Sequence, residues 1–192
     1  MTLPQVARVF FAIDLPLSAK ETLGAYISKL RKKSRSQPIR WTRPENLHIT
    51  LQFLAEVKTE DIPILIQNVK KKITNTHRHA PFKLGVPHVF PNPFRPRVIV
   101  LEVTPQEDLA ELSTLIGHGI QSAEYDIEDR PFRAHLTLGR IKQPQGVDLN
   151  FLTEAGEPVL ETIAVQEVVL FRSDPLPEGS HYSPLERIPL PD

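Results

Sequence analysis

Residues 46–54 read Asn46-Leu47-His48-Ile49-Thr50-Leu51-Gln52-Phe53-Leu54. Apolar and polar side chains alternate. Leu47, Ile49, Leu51 and Phe53 fall on one face, and His48, Thr50 and Gln52 on the other. Period-two alternation predicts a strand with one face in a core and the other open. The pattern returns 87 residues later in His135-Leu136-Thr137-Leu138, where Arg133, His135 and Thr137 oppose Ala134, Leu136 and Leu138. Strands of a buried parallel sheet are apolar on both faces, so this alternation predicts antiparallel sheets.

Working outward, residues 7–13 read as a strand and 18–34 as a helix, opened by a capping box, Ser18-Ala19-Lys20-Glu21. Ile62, Leu65, Ile66, Val69 and Ile73 mark a second helix over about 60–75. Residues 82–90 and 97–103 read as strands joined through Pro91-Asn92-Pro93. Thr104-Pro105-Gln106-Glu107 is a second capping box, continued as a helix by Leu109, Leu112, Ile116 and Ile120. Residues 163–172 and 181–188 read as closing strands. Strand, helix and strand recur around each H-x-T copy. The expectation is an α+β fold of two similar lobes related by an approximate two-fold, forming a single bilobal domain over residues 1–192.

Composition narrows the function. The 192 residues hold 23 basic and 23 acidic side chains, so the net charge is zero. That disfavours a basic nucleic-acid coat protein and an acidic disordered chain. There is no cysteine, which removes disulfides, thiolate metal sites and a cysteine nucleophile together. No apolar run reaches a membrane span and the N-terminus lacks signal-peptide character, so the expected location is the cytoplasm. Charge is nonetheless patterned. Lys29, Arg31, Lys32, Lys33, Arg35, Arg40 and Arg43 occur without an intervening acid, and residues 144–171 hold Asp148, Glu154, Glu157, Glu161 and Glu167 without a base. The basic run is either a polyanion surface or a solvated helix end. No Gly-rich phosphate loop is present.

In H-x-T on a strand, imidazole and hydroxyl project from one face about 6.6–6.8 Å apart along the chain. Two copies meeting across a groove make a kit for phosphodiester chemistry. A neutral histidine takes a proton from water, and a protonated one gives a proton to the departing oxygen. Threonine hydroxyls donate to phosphate oxygens, and imidazolium and arginine stabilise charge without a metal. His77 and His79 alternate in a polar stretch, which does not amount to a metal site. His88, His118 and His181 read as structural or exposed.

These residues carry a resemblance to the 2H phosphoesterase superfamily, and within it to the bacterial and archaeal RNA 2′,3′-cyclic phosphodiesterases, also known as 2′-5′ RNA ligases. The matching segments are residues 8–16, 46–54 and 131–140, with a weaker tail at Leu170-Phe171-Arg172-Ser173, Gly179 and Tyr182. The chain departs from the family's pattern at Ala55, Ala134 and Gly139, none of them a proton-transfer group. The resemblance implies two antiparallel lobes with outer helices around a central groove. It implies opening of a terminal RNA 2′,3′-cyclic phosphate to a 2′-phosphate without cofactor or metal, and the reverse 2′-5′ joining. It makes His48 the proton donor and His135 the acceptor, although the near-symmetric pattern allows the roles to be exchanged. Thr50, Thr137 and Arg140 would hold the phosphate. Phe11 is either a platform for the terminal base or a core residue. Strict alternation puts Arg140 on the face opposite His135, so a bulge or twist near Gly139 is required. The expected partners are RNA ends, met by a monomer. The alternatives are a related enzyme acting on a small cyclic nucleotide, and a non-catalytic RNA-end binder.

Overall fold

The computed structural model describes residues 4–35, 37–74, 81–177 and 179–191. His77 and His79 lie outside the described residues. The elements run β1 (Val6–Asp14), α1 (Leu17–Lys33), β2 (Ile39–Trp41), β3 (His48–Lys58), α2 (Ile62–Ile73), β4 (Pro81–Phe90), β5 (Val98–Thr104), α3 (Glu107–Gln121), β6 (His135–Ile141), α4 (Asn150–Ala155), β7 (Ile163–Ala164), β8 (Glu167–Leu176) and β9 (Gly179–Pro189). One sheet has the order β3-β1-β8-β9 and the other β2-β6-β5-β4-β7. Every pairing is antiparallel. The fold is therefore the α+β arrangement of two antiparallel lobes that the alternation predicts.

The duplication reaches individual register positions. In the first lobe β1 pairs with β3 as Asp14↔His48, Ala12↔Thr50, Phe11↔Gln52 and Phe10↔Phe53, and Leu51 is looped out between Thr50 and Gln52. In the second, β5 pairs with β6 as Glu102↔His135, Val100↔Thr137, Ile99↔Gly139 and Val98↔Arg140, and Leu138 is looped out. Both strands thus carry a bulge immediately after the threonine. A bulge inserts one residue into one strand and so exchanges the faces of everything beyond it.

Helices cover the faces opposite the histidines. α2 and α3 pack on each other and α3 on β3, while α1 packs on α4 and α4 on β4. One apolar cluster, including Phe11, Ile49, Leu136, Ile116 and Leu23, runs continuously through both lobes. Part of the basic run is used within the fold. Lys33 pairs with Glu154 at 3.2 Å, and Lys29 Nζ donates to the carbonyl of Ala155 at 2.9 Å, on the last residue of α4. Those contacts join the basic run to the acidic one.

Neither capping box forms. α1 begins one residue early, at Leu17, and no side chain caps it. Thr104 stays in β5, paired with Lys83. At the start of α3 the side chain of Gln106 turns away from the helix. Its Nε2 donates to the carbonyls of Val103 and Ala134, and its Oε1 accepts from Ala134 N at 2.8 Å. Gln106 thereby fixes the chain where it enters β6, one residue before His135.

The α2–α3 seam depends on Gly119. A Cβ there would sit 2.5 Å from Val69 Cα and 2.8 Å from Val69 N. Glycine to alanine in a helix interior ordinarily stabilises by up to ~1 kcal/mol. Here the helix backbones must separate, and Gly119→Ala is expected to destabilise by roughly 2–3 kcal/mol in urea unfolding.

Candidate active site

The open faces of β3 and β6 carry the two motifs, and these strands lie side by side where the lobes meet. His48 and Thr50 are half-buried beside each other, as are His135 and Thr137. Each imidazole is anchored alike. His48 Nδ1 lies 2.7 Å from the carbonyl of Asn46, and His135 Nδ1 lies 2.8 Å from the carbonyl of Arg133. A carbonyl only accepts, so both rings donate from Nδ1–H, and when neutral each keeps its lone pair on Nε2. Thr50 Oγ1 lies 3.0 Å from His48 Nε2 and donates to it in that tautomer. Among the described residues, His135 Nε2 has no protein partner.

The bulges decide which further residues reach this face. Past Leu138, Arg140 returns to the side of His135 and Thr137, which resolves the conflict with strict alternation. Its charge acts on both imidazoles, lowering the pKa of each, so the guanidinium lies within electrostatic reach of both lobes. In β3 the same bulge overturns the face assignments of Phe53 and Gln52. Phe53 moves to the open side and is 37% exposed. Gln52 moves to the helix side, where its Nε2 donates to the Ser113 carbonyl and hydroxyl at 3.1 and 3.0 Å. Phe53 thus occupies the place in the first lobe that Arg140 occupies in the second.

Phe11 is placed differently from a base platform. It is fully buried in the main core, opposite Gln52, and offers no surface on which a base could stack. The aromatic of β1 that meets the site is Phe10, its ring centroid 4.9 Å from that of His48. Phe10 belongs to a small second cluster with Ala12, Val169 and Phe171, against which Tyr182 packs. Tyr182 stands edge-on to His48 at 5.3 Å. In the second lobe Phe90 stands edge-on to His135 at 5.5 Å, with the guanidinium of Arg133 4.8 Å from its centroid. Period-two reading of β1 puts Phe10 and Phe11 on opposite faces. It does not say which face is the core until the pairing partner is known.

Electrostatics distinguish the two histidines. Burial lowers the His48 pKa from 6.5 to about 4, Lys20 and Arg140 adding to the effect, against the Asn46 carbonyl and Asp14 carboxylate that favour the charged ring. Burial also lowers His135, opposed by the Arg133 carbonyl, and the charges of Arg130, His88 and Arg140 push the same way. Asp14 is the cross-strand partner of His48 and is held by Lys20 at 2.5 Å and Arg187 at 3.6 Å. Asp14 therefore favours the protonated form of His48, whereas the charges that shift His135, those of Arg130, His88 and Arg140, favour its neutral form, although Glu102 is its cross-strand partner. Among the described residues, no group of three or more His, Cys, Asp or Glu could hold a metal ion.

The depressed His48 pKa has a stability consequence. On acidification the unfolded chain takes up this proton near 6.5, before the folded one does at about 4. The contribution is present in full above the unfolded value and is lost as pH falls through the folded one. It amounts to roughly 3 kcal/mol at most. His48→Gln is expected to gain up to that much stability relative to the parent between pH 7 and 4, read by urea unfolding at both.

The family model described as LigT like phosphoesterase matches the chain twice, over residues 13–100 and 101–182, one match per motif copy. The chain is 30% identical to the RNA 2′,3′-cyclic phosphodiesterase of Methanothermobacter thermautotrophicus, covering 93% of this chain and 96% of that one. It is 28% identical to the protein of that name from Archaeoglobus fulgidus, covering 93% and 97%. Among solved structures it matches E. coli LigT complexed with 3′-AMP at a TM-score of 0.78 and 26% identity, covering 97% of this chain and 99% of that one. Kluyveromyces marxianus Usb1 shares the fold at a TM-score of 0.59 and 11% identity. With the family matched along nearly its whole length, and both halves of the match centred on an H-x-T strand, the chain belongs to the LigT-like phosphoesterases.

Proposed function

We propose that this protein opens the terminal 2′,3′-cyclic phosphate of RNA to leave a 2′-phosphate, using two histidines and no metal. The observation that carries the proposal is the matched anchoring of His48 and His135. Both rings hold Nδ1–H on the carbonyl two residues upstream, and the Arg140 charge reaches both. The names of the relatives supply the substrate class.

In the proposed step, neutral His135 takes a proton through Nε2 from a water molecule. The water oxygen forms a bond to phosphorus, and the P–O3′ bond breaks. Protonated His48 delivers its proton from Nε2 to O3′, so the product keeps the phosphate on O2′. The charges that shift the rings support this division, since Asp14 favours a protonated His48 while Arg130, His88 and Arg140 favour a neutral His135. The bound phosphate anion adds to Asp14 in raising His48 from its depressed free value. Thr50, Thr137 and Arg140 hold the non-bridging oxygens, Thr50 releasing Nε2 as it turns to the phosphate. Phe53, exposed on this face, takes the base-facing role considered for Phe11, while Phe10 is buried and backs the His48 ring. With the 5′-hydroxyl of a second RNA in place of water, the same displacement bonds O5′ to phosphorus, breaks P–O3′ and leaves a 2′-5′ link, His135 taking the hydroxyl proton and His48 protonating O3′. Because both histidines come from one chain, the site needs no second copy, and a cytoplasmic monomer is the proposed working form.

The test is product identity. A short RNA ending in 2′,3′-cyclic phosphate, incubated in EDTA, is expected to yield only the 2′-phosphate. A 3′-phosphate would reverse the assignment of the leaving oxygen, and loss of activity in EDTA would contradict the metal-free step.

A further inference from the structure

The β4–β5 loop, residues 91–97, carries the sequence Pro91-Asn92-Pro93-Phe94-Arg95-Pro96-Arg97. Phe94 at its apex is 94% exposed, and no other aromatic side chain approaches that exposure among the described residues. The loop is nevertheless built. Asn92 Oδ1 accepts from Phe94 N at 3.0 Å and Arg95 N at 3.1 Å. Arg97 N donates to the Phe90 carbonyl at 2.7 Å, and the Arg97 carbonyl accepts from Ile141 N at 2.8 Å, tying the loop to the end of β6. Pro96 is buried beneath it. The apex aromatic is thus offered to solvent on a fixed support rather than on a loose tail.

Its position relative to the site follows from the pairing. On the open face of the second sheet, one cross-strand row holds His135 with Glu102, and the next holds Thr137 with Val100 and His88. The row after the bulge holds Arg40, Arg140, Val98 and Phe90. Beyond that row comes the loop. A line from the catalytic histidine through the phosphate-holding residues therefore runs on to Phe94, within about 25 Å of Thr137 by chain length and strand spacing. This end of the groove is cationic. Arg95, Arg97 and Arg140 lie here, and Arg40, beside Arg140 on β2, reaches toward the β8–β9 turn, where its Nη2 donates to the Pro177 carbonyl at 3.5 Å; among the described residues none of the four has a carboxylate partner. Arg40 and Arg140 even face each other across β2 and β6, an arrangement that costs stability unless an anion lies between them. The mirrored end of the first lobe has Phe53 in the place of Arg140 and no such row of arginines.

We propose that this loop is the second grip on the substrate: Phe94 stacks on a base a few nucleotides upstream of the cyclic phosphate, while Arg40, Arg95 and Arg97 hold the intervening phosphates. The inference rests on the RNA-end reading above and adds a preference for a strand over a mononucleotide. Single-stranded nucleic acid is held in this way by aromatic faces set along a cationic track, because every base has a π-face and every linkage a charge. A cyclic mononucleotide fills only the histidine site and ends short of the loop.

The experiment compares kcat/KM for an eight-nucleotide RNA and for a cyclic mononucleotide, both ending in 2′,3′-cyclic phosphate. The parent is expected to favour the octamer. In Phe94→Ala the octamer-to-mononucleotide ratio is expected to fall five- to tenfold, carried by KM. Phe94→Trp should keep the ratio and Phe94→Leu should lose it, since a stack needs a ring. Arg95→Gln with Arg97→Gln should lower the ratio and flatten its dependence on salt. An unchanged ratio in Phe94→Ala overturns the proposal. So does a parent dimer that this variant dissolves while the ratio stays put, which would assign the apex to protein contact. If the parent turns over neither substrate, it is the RNA-end reading that fails, and the two failures are told apart.

Discussion

His135→Ala is expected to lower kcat on a cyclic-phosphate RNA by about 10³-fold or more, with far-UV circular dichroism unchanged. The ring is held by a single hydrogen bond to its own strand, from Nδ1 to the Arg133 carbonyl, and its Nε2 has no partner among the described residues. Removing it leaves no buried group unsatisfied, so the loss is a loss of proton transfer and not of fold. His48→Ala should fall by a similar factor. Its ring touches Phe10 and Tyr182, so some loss of packing accompanies it, and His48→Gln is the cleaner variant. The double variant should be hardly slower than either single one, because donor and acceptor serve the same bond exchange. Multiplicative losses would mean that the two rings act in separate steps. Turnover of His135→Ala at the parent rate would remove the assignment.

The second large effect belongs to Arg140. Its charge acts on both imidazoles, and the bulge at Leu138 is what brings it to their face. A cation placed where charge develops on a phosphate is ordinarily worth 10²–10³ in rate. Arg140→Ala is expected to lose about that much in kcat/KM, and Arg140→Lys to recover only part, since a point charge cannot grip two oxygens at once. Stability should not fall, and should rise slightly, because Arg140 faces Arg40 with no carboxylate between them. A second reading comes from NMR titration. Arg140 lowers both histidine pKa values, so removing it should raise both. A variant that loses activity while both pKa values stay fixed would place the guanidinium outside the site.

The H-x-T pair was legible because alternation and repetition are properties of the chain alone. His48, Thr50, His135 and Thr137 follow directly from them. The bulges were half legible. Arg140 demanded one near Gly139, but nothing within residues 46–54 demands one at Leu51, because Gln52 and Phe53 suit either face until α3 packs on one side. The consequence was the misplacement of Phe53 and Gln52, whereas Phe11 takes the core place that was one of its two readings. A reader who carried the second copy's bulge across to the first would have found Phe53. Both capping boxes failed for a physical reason. A helix start is chosen by the packing of the whole helix, so Pro16 and the β1–α1 turn set α1 one residue early, and Gln106 serves β6 better than it would serve α3. β2 and α4 went unseen because three and six residues are too short for a period to show.

The most direct test of the central claim, that two imidazoles of matched tautomer converge on one phosphate, is ¹⁵N NMR of the imidazole nitrogens across pH 4–8, with and without a nucleotide 2′-monophosphate. In the free protein both rings are predicted to be neutral at pH 7 with the proton on Nδ1. Both pKa values are predicted to lie below 6.5, His48 near 4. Addition of the nucleotide should raise both pKa values and shift both Nε2 resonances. A response at one histidine alone, or a ring found with its proton on Nε2, would contradict the account.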